Sequence, residues 1–331
     1  MNLAKIFTDN MVFQANLPIR IFGEGEGAIA VTLGGNTHSQ SFVGDSWLIE
    51  LPPMDYGGPY EIKIYLNGEE KKLSNVYFGD VLLCTGQSNM QFKYCDEVSE
   101  KDEVDNPLIR YYVSDKVQAH DGIKSADGWL TLRRGEVGLW SALALHIAEE
   151  YQARHGVAVG IVGCFQGASV IRSWLPREML DDDVYLPIEL RHQDSRLEKY
   201  AEWNVDSILY ERTFLPIAPF AFKSVIWYQG ESNTTVEEGS VYPEMLTRLI
   251  KTWRRHLMLP ELPVVLVEIC DYDGRADEGW RTIQRCQGEV ARTVPGVTLV
   301  TSKDVCEHVH IHPENKEHLA EKIVAALDIT K

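Results

Sequence analysis

The chain has 331 residues, 44% of them hydrophobic, and a formal net charge of −17 at pH 7. That is enough apolar material for one large or two modest domains. The basic residues form no run, which argues against nucleic acid and anionic membranes as partners, because both are held by clustered Lys and Arg.

The first five residues, Met1 to Lys5, lead directly into strand-like sequence with no apolar leader core. No apolar stretch reaches the roughly 18 residues of a membrane-spanning helix. As written, the chain is expected to be cytoplasmic, or secreted if a leader has been removed. Residues 1–77 read as short alternating strands: 17–22, 28–33, 46–51 and 60–66, separated by Gly-rich turns such as Gly23 to Gly27. This spacing predicts a small antiparallel β-sandwich. From Phe78 the pattern changes to apolar strands (81–84, 157–164, 222–228, 264–269, 297–300) alternating with helical periodicity. The expected helices cover 138–154, 242–258, 280–292 and a last one opened by Pro313. Continuous apolar strands between helices imply an α/β domain, 78–331, with a parallel sheet covered on both faces. Residues 93–137 and 170–215 are irregular and charged, and are expected to form loops over a site.

Six cysteines stand at 84, 95, 164, 270, 286 and 306, with no CxxC spacing. Cys84, Cys164 and Cys270 sit in or beside apolar runs, so buried reduced thiols are expected rather than disulfides. The Gly-rich turn at 23–27 lies between strands in an acidic setting and is unsuited to phosphate.

Three segments carry chemistry. The strand Val81 to Cys84 runs into Gly86-Gln87-Ser88-Asn89-Met90, which places a serine at the carboxyl end of a strand, where open α/β sheets bind ligands. The plain alternative is a turn built of turn-forming residues. The strand 225–228 runs into Gln229-Gly230-Glu231-Ser232-Asn233, and His310-Ile311-His312-Pro313 precedes the last helix. With the opening Ile6 to Gln14 and the stretch Leu51 to Tyr60, these segments resemble the sialate O-acetylesterase family of SGNH (GDSL-like) hydrolases over nearly the whole chain. The resemblance implies a flavodoxin-like catalytic domain after an N-terminal β-domain, no metal or other cofactor, and an O-acetylated carbohydrate as substrate. Sialic acid and acetylated xylan are both open. An acidic surface does not steer anions, so a sialic-acid carboxylate would need a local Arg.

Ester hydrolysis needs a nucleophile, a base within reach and donors for the oxyanion. Ser88 is the expected nucleophile and His312 the expected base. The family's acid stands three residues before that histidine, where this chain has Val309. Glu307 and Asp304 are the nearest carboxylates, so the expectation is a Ser–His dyad, with Glu307 as the acid to test. The resemblance places the oxyanion hole at the Ser88 amide, the Gly167 amide and the side chain of Gln229 or Asn233. Gln87 and Glu231 take supporting roles, Glu231 as an anchor for loop amides near Ser88. Arg172 and Trp174 are candidates for gripping a carboxylate and stacking on a sugar, or else for packing their loop. His308, His310 and His312 alternate, and on an extended strand would share one face as zinc ligands do. Rival readings are an acetylxylan esterase, a non-catalytic carbohydrate-binding protein and a zinc hydrolase. The sequence assigns no oligomeric state.

Overall fold

A computed structural model of the chain describes residues 2–99, 103–119, 122–180 and 200–329. Parts of the two irregular stretches, 100–102, 120–121 and 181–199, therefore lie outside the described residues. The first strands are β1 (Asn2–Leu3), β2 (Val12–Gln14), β3 (Ile19–Glu24), β4 (Gly27–Leu33), β5 (Asn36–Phe42), β6 (Ser46–Leu51) and β7 (Gly57–Leu66). They are followed by β8 (Glu69–Gly86), β9 (Asn106–Val113), β10 (Leu130–Leu132), β11 (Val159–Phe165), β12 (Ser224–Tyr228), β13 (Val264–Val267) and β14 (Val297–Val300). Among the described residues there are four long helices: α1 (Ala142–His155), α2 (Val236–His256), α3 (Glu278–Thr293) and α4 (Glu317–Ile329).

The expected small antiparallel layers and the α/β layer are both present. A three-stranded antiparallel sheet, β1-β3-β6, faces a second antiparallel set in which β4 pairs β5 and β7, and β7 pairs β8. The main sheet runs β10-β9-β11-β8-β12-β13-β14, parallel except for β10. One strand serves both regions. The first part of β8 alternates, burying Leu73, Val76 and Phe78, and pairs with β7; from Gly79 to Gly86 every residue is buried, between β11 and β12. The change from period two to continuous burial marks passage from a half-covered to a doubly covered sheet.

The connection after β8 leads to β9 on one side, and the connection after β12 leads to β13 on the other. The crevice outside the carboxyl ends of β8 and β12 is therefore the switch point where open α/β sheets bind ligands. Helix α1 packs on α4, and α2 on α3. Each of the first three starts on a side-chain cap: Ser141 accepts from the Ala144 amide, Thr235 from Glu238 and Asp277 from Trp280.

Several elements differ from expectation. Strand β9 lies inside a stretch read as loop, because Pro107 and Arg110 interrupt its apolar run. Arg110 is nevertheless 1% exposed, donating to the Pro107 and Asn10 carbonyls and stacking on the Tyr77 ring. Helix α2 begins at Val236 and runs through Pro243, ahead of its expected start. Proline cannot supply the N–H that the Gly239 carbonyl would receive; the Cys286 thiol donates to that carbonyl instead, at 3.3 Å. Helix α1 starts later than expected: Leu139, expected on its stripe, precedes the helix and is 52% exposed.

Candidate active site

Gly86 ends β8 with φ +133°, and a Cβ there would lie 2.1 Å from the Tyr228 carbonyl oxygen. Only glycine fits this approach of two backbones. The Gln87 amide donates to that same carbonyl, and Ser88–Gln91 forms one helical turn. Ser88 is half-buried at the mouth of the crevice, as is His312, which arrives on the loop after β14. Their side chains meet, with His312 Nε2 2.8 Å from Ser88 Oγ. The structure thus brings together two residues 224 positions apart, at a hydrogen-bond distance suited to proton transfer.

The residues around Ser88 face alternate directions, and each holds a different loop. Gln87 Oε1 accepts from the Gly230 and Ser232 amides. Gln91 Oε1 accepts from the Gly167 amide and from Lys116 Nζ, whose ammonium also donates to the Phe165 carbonyl. Asn89 Nδ2 donates to Glu231 Oε1 at 2.6 Å and to the Ile311 carbonyl at 3.0 Å, while its Oδ1 accepts from Lys316 Nζ at 2.9 Å. Glu231 and Lys316 are both buried. Burial pushes the Glu231 carboxyl up, against the Asn89 bond and the Lys316 charge, and burial pulls the Lys316 ammonium down. The sequence does not single out Asn89, Gln91 and Lys316, although Asn89 stands inside the Gly86 to Met90 motif, Gln91 directly follows it and Lys316 lies four residues after His312; the signal available is the alternation of Asn89 and Gln91 with Ser88 and the place of Lys316 after His312.

The other expected site residues have different neighbours from those anticipated. The Gly167 amide donates to Gln91, so it is occupied inside the protein. Gln229 Nε2 donates to the Ser169 carbonyl and to Asn233 Oδ1, and Gln229 Oε1 accepts from the Tyr242 hydroxyl. Asn233 Nδ2 donates to Glu238, and its Oδ1 also accepts from the Ile171 amide. In this arrangement the Gly167 main-chain amide and the Gln229 and Asn233 side chains bond within the protein, as buried polar groups must. Among the described residues, neither the Ser88 nor the Ala168 amide has a partner. Ala168 sits at φ +53°, a backbone position uncommon for a residue with a Cβ. Its loop is fixed on both sides, with Trp203 Nε1 donating to the Gly167 carbonyl and Asn204 Nδ2 to the Ala168 carbonyl.

Trp174 does not present a face for a sugar. It is 1% exposed, edge-on to Trp227, and its Nε1 donates to Ser169 Oγ. Arg172 is 8% exposed and forks onto the Asp206 carboxylate through Nε and Nη2. Trp174 therefore packs the loop. Glu307 does not reach toward the base: its carboxylate accepts from the Val309 and His310 amides and faces His310 Nδ1 at 3.2 Å. Burial opposes its ionisation, but those amides and the His310 ring outweigh it and hold its carboxyl below the usual range. Asp304 pairs with Lys322. The three histidines also part company. His312 meets Ser88, His310 meets Glu307, and His308 lies 3.9 Å from Asp273.

Residues 78–328 match the family model described as carbohydrate esterase, sialic acid-specific acetylesterase. Curated relatives include the sialate O-acetylesterases of Rattus norvegicus, 23% identical over 84% of this chain and 62% of that protein, and of Homo sapiens, 24% identical over 84% and 59%. The chain thus spans about 60% of the length of the curated relatives it matches. Among solved structures, a carbohydrate acetylesterase from Xanthomonas citri superposes with a TM-score of 0.84 at 25% identity, covering 98% of this chain and 74% of that one. The match covers three quarters of the sequence and includes Ser88, the 229–233 turn and His312, so the chain belongs to the sialic acid-specific acetylesterase family of carbohydrate esterases.

Proposed function

We propose that this protein is a serine esterase that removes O-acetyl groups from a carbohydrate, with residues 78–331 as the catalytic part and 1–77 as its buttress. The observation that carries this reading is the 2.8 Å contact between Ser88 Oγ and His312 Nε2, at the switch-point crevice. Ser88 Oγ attacks the acetyl carbonyl carbon while His312 Nε2 takes its proton. The carbonyl oxygen becomes an oxyanion, for which the donors are the Ser88 and Ala168 amides, neither of which has a partner among the described residues. His312 returns the proton to the departing sugar hydroxyl, leaving acetyl-Ser88. Water, deprotonated by His312, then releases acetate and restores the serine. Glu307 and Asp304 have other partners, which supports a reading in which no carboxylate from the 304–307 segment orients the imidazole.

Sialic acid O-acetyl esters are the favoured substrates, on the family description and on what the rat and human relatives are named for. Acetate release from a panel of O-acetylated sialic acids and acetylated xylo-oligosaccharides tests this. A preference for xylo-oligosaccharides would move the assignment to acetylxylan esterase, and no release from either would leave only a carbohydrate-binding role. Ser88→Ala is expected to abolish hydrolysis of a small acetate ester with the fold intact by circular dichroism. Activity within about tenfold of the parent would refute the nucleophile assignment, since loss of a working nucleophile costs many orders of magnitude.

A further inference from the structure

Lys316 is a charge in an unexpected place. Its residue is 0% exposed, and an ammonium taken out of water costs several kcal/mol unless it is paired and hydrogen-bonded. Its Nζ donates to Asn89 Oδ1 at 2.9 Å and lies 5.0 Å over the Phe92 ring. The Glu231 and Glu97 carboxylates and the Cys270 and Cys306 thiols are its other ionisable neighbours. Its main chain is fixed as well: the Lys316 amide donates to Glu97 Oε1, whose other oxygen meets His146 Nε2 at 2.7 Å. The neighbouring Glu314 carbonyl accepts from the Val98 amide.

A primary amide has two nearly isosteric orientations, and only its partners choose between them. With an ammonium on one side of Asn89, the amide oxygen must face Lys316. The two N–H bonds are then forced toward Glu231 Oε1 and the Ile311 carbonyl. That carbonyl belongs to the residue immediately before His312. The ammonium therefore selects the orientation that ties the His312 loop to the turn carrying Ser88.

We infer that Lys316 is a positioning residue: through Asn89 it fixes the Ile311 carbonyl, and so holds the His312 imidazole in register with Ser88. This rests on the Ser88–His312 reading above. The alternative role is simple neutralisation of buried Glu231.

Kinetics of a small acetate ester and urea midpoints on Lys316→Met, Asn89→Ala and the double variant K316M/E231Q separate the two. Lys316→Met should lose about 10²-fold in kcat, the scale of an ångström-sized misplacement of catalytic groups, with KM within about threefold. In K316M/E231Q the stranded carboxylate is gone, so the urea midpoint should recover toward the parent while kcat stays low. Recovery of kcat together with stability would overturn the inference and leave charge balance as the role of Lys316. Asn89→Ala keeps both charges and should show the same kcat loss. Should Lys316→Met fail to fold, this variant decides: parent-like kcat in Asn89→Ala also overturns the inference. Parallel Ser88→Ala measurements keep the two questions apart, because an active Ser88→Ala removes the underlying reading whatever Lys316 does.

Discussion

Gln229 shows how the partners of a buried amide bear on the role it can take. It follows β12 directly, yet every polar atom of its side chain has a partner: Ser169, Asn233 and Tyr242. Gln229→Ala should therefore destabilise the protein by about 1–3 kcal/mol, the cost of stranding a buried polar group, while kcat of the folded fraction falls less than tenfold. Urea unfolding and kcat on the same preparation check this. A loss of about 10²–10³ in kcat at unchanged stability is the signature of an oxyanion donor, and would put the amide in the hole after all. The contrast explains what was legible in the sequence. Ser88 and His312 stand in short motifs whose residue types are dictated by local chemistry. Whether a given amide faces the crevice or the protein depends on partners such as Gln91 and Tyr242, from 76 residues away in one case and 13 in the other, and no spacing rule contains that. Ala168 was hidden for the same reason: its sequence signal is an ordinary alanine, and its φ of +53° is imposed by the loop.

At the scale of elements, the segment after Ser88 is anchored to α1 and to the His312 loop at once. The Glu97 and His146 side chains are 0% and 1% exposed and meet at 2.7 Å, with Glu149 3.5 Å from the other ring nitrogen. Burial lowers the affinity of His146 for its proton, but the Glu149 and Glu97 carboxylates outweigh it and push the imidazole up to about 9 from 6.5. The folded-state value is raised, so this pair stabilises fully below about 6.5 and loses its contribution as the pH rises through about 9. The urea midpoint of the parent should exceed that of His146→Gln most on the acid side of this window, and the margin should shrink across it. A margin that grows with pH would contradict the charged pair. The sequence revealed α1 by its apolar stripe but not this pair, because a histidine and a glutamate 49 residues apart carry no joint pattern. Strand β9 was missed for a related reason: the two residues that break its apolar run, Pro107 and Arg110, are accommodated by contacts from elsewhere in the chain.

The whole molecule is built on a strand that crosses from one sheet system into another, and this decides how independent the two regions are. A boundary at 77/78 falls inside β8, where the antiparallel pairing with β7, which shifts register after Leu73, still reaches Val76 and Phe78, and pairing with β11 begins at Asp80. Rings from both sides close over the junction. Phe7 and Phe13 lie 6.0 and 5.6 Å from Phe220, Phe13 stacks on Phe78, and Phe7 meets Phe22 edge-on at 5.0 Å. The N-terminal region also finishes a catalytic-side helix: Arg20 donates to the Leu257 and Met258 carbonyls at the end of α2, groups that no helical N–H satisfies. Burying each of Phe7, Phe13 and Phe22 contributes roughly 1.5–3 kcal/mol, and the three together approach the 5–15 kcal/mol net stability of a typical protein. A fragment beginning at residue 78 should therefore fail to fold as a cooperative unit, exposing Phe220 and Phe222 and binding a hydrophobic dye. In the full chain, Phe13→Ala should cost about 3–5 kcal/mol and lower one shared unfolding transition, monitored in parallel by tryptophan fluorescence and esterase activity. Two separate transitions, or a soluble and active 78–331 fragment, would mean that the N-terminal sheets merely decorate the catalytic layer.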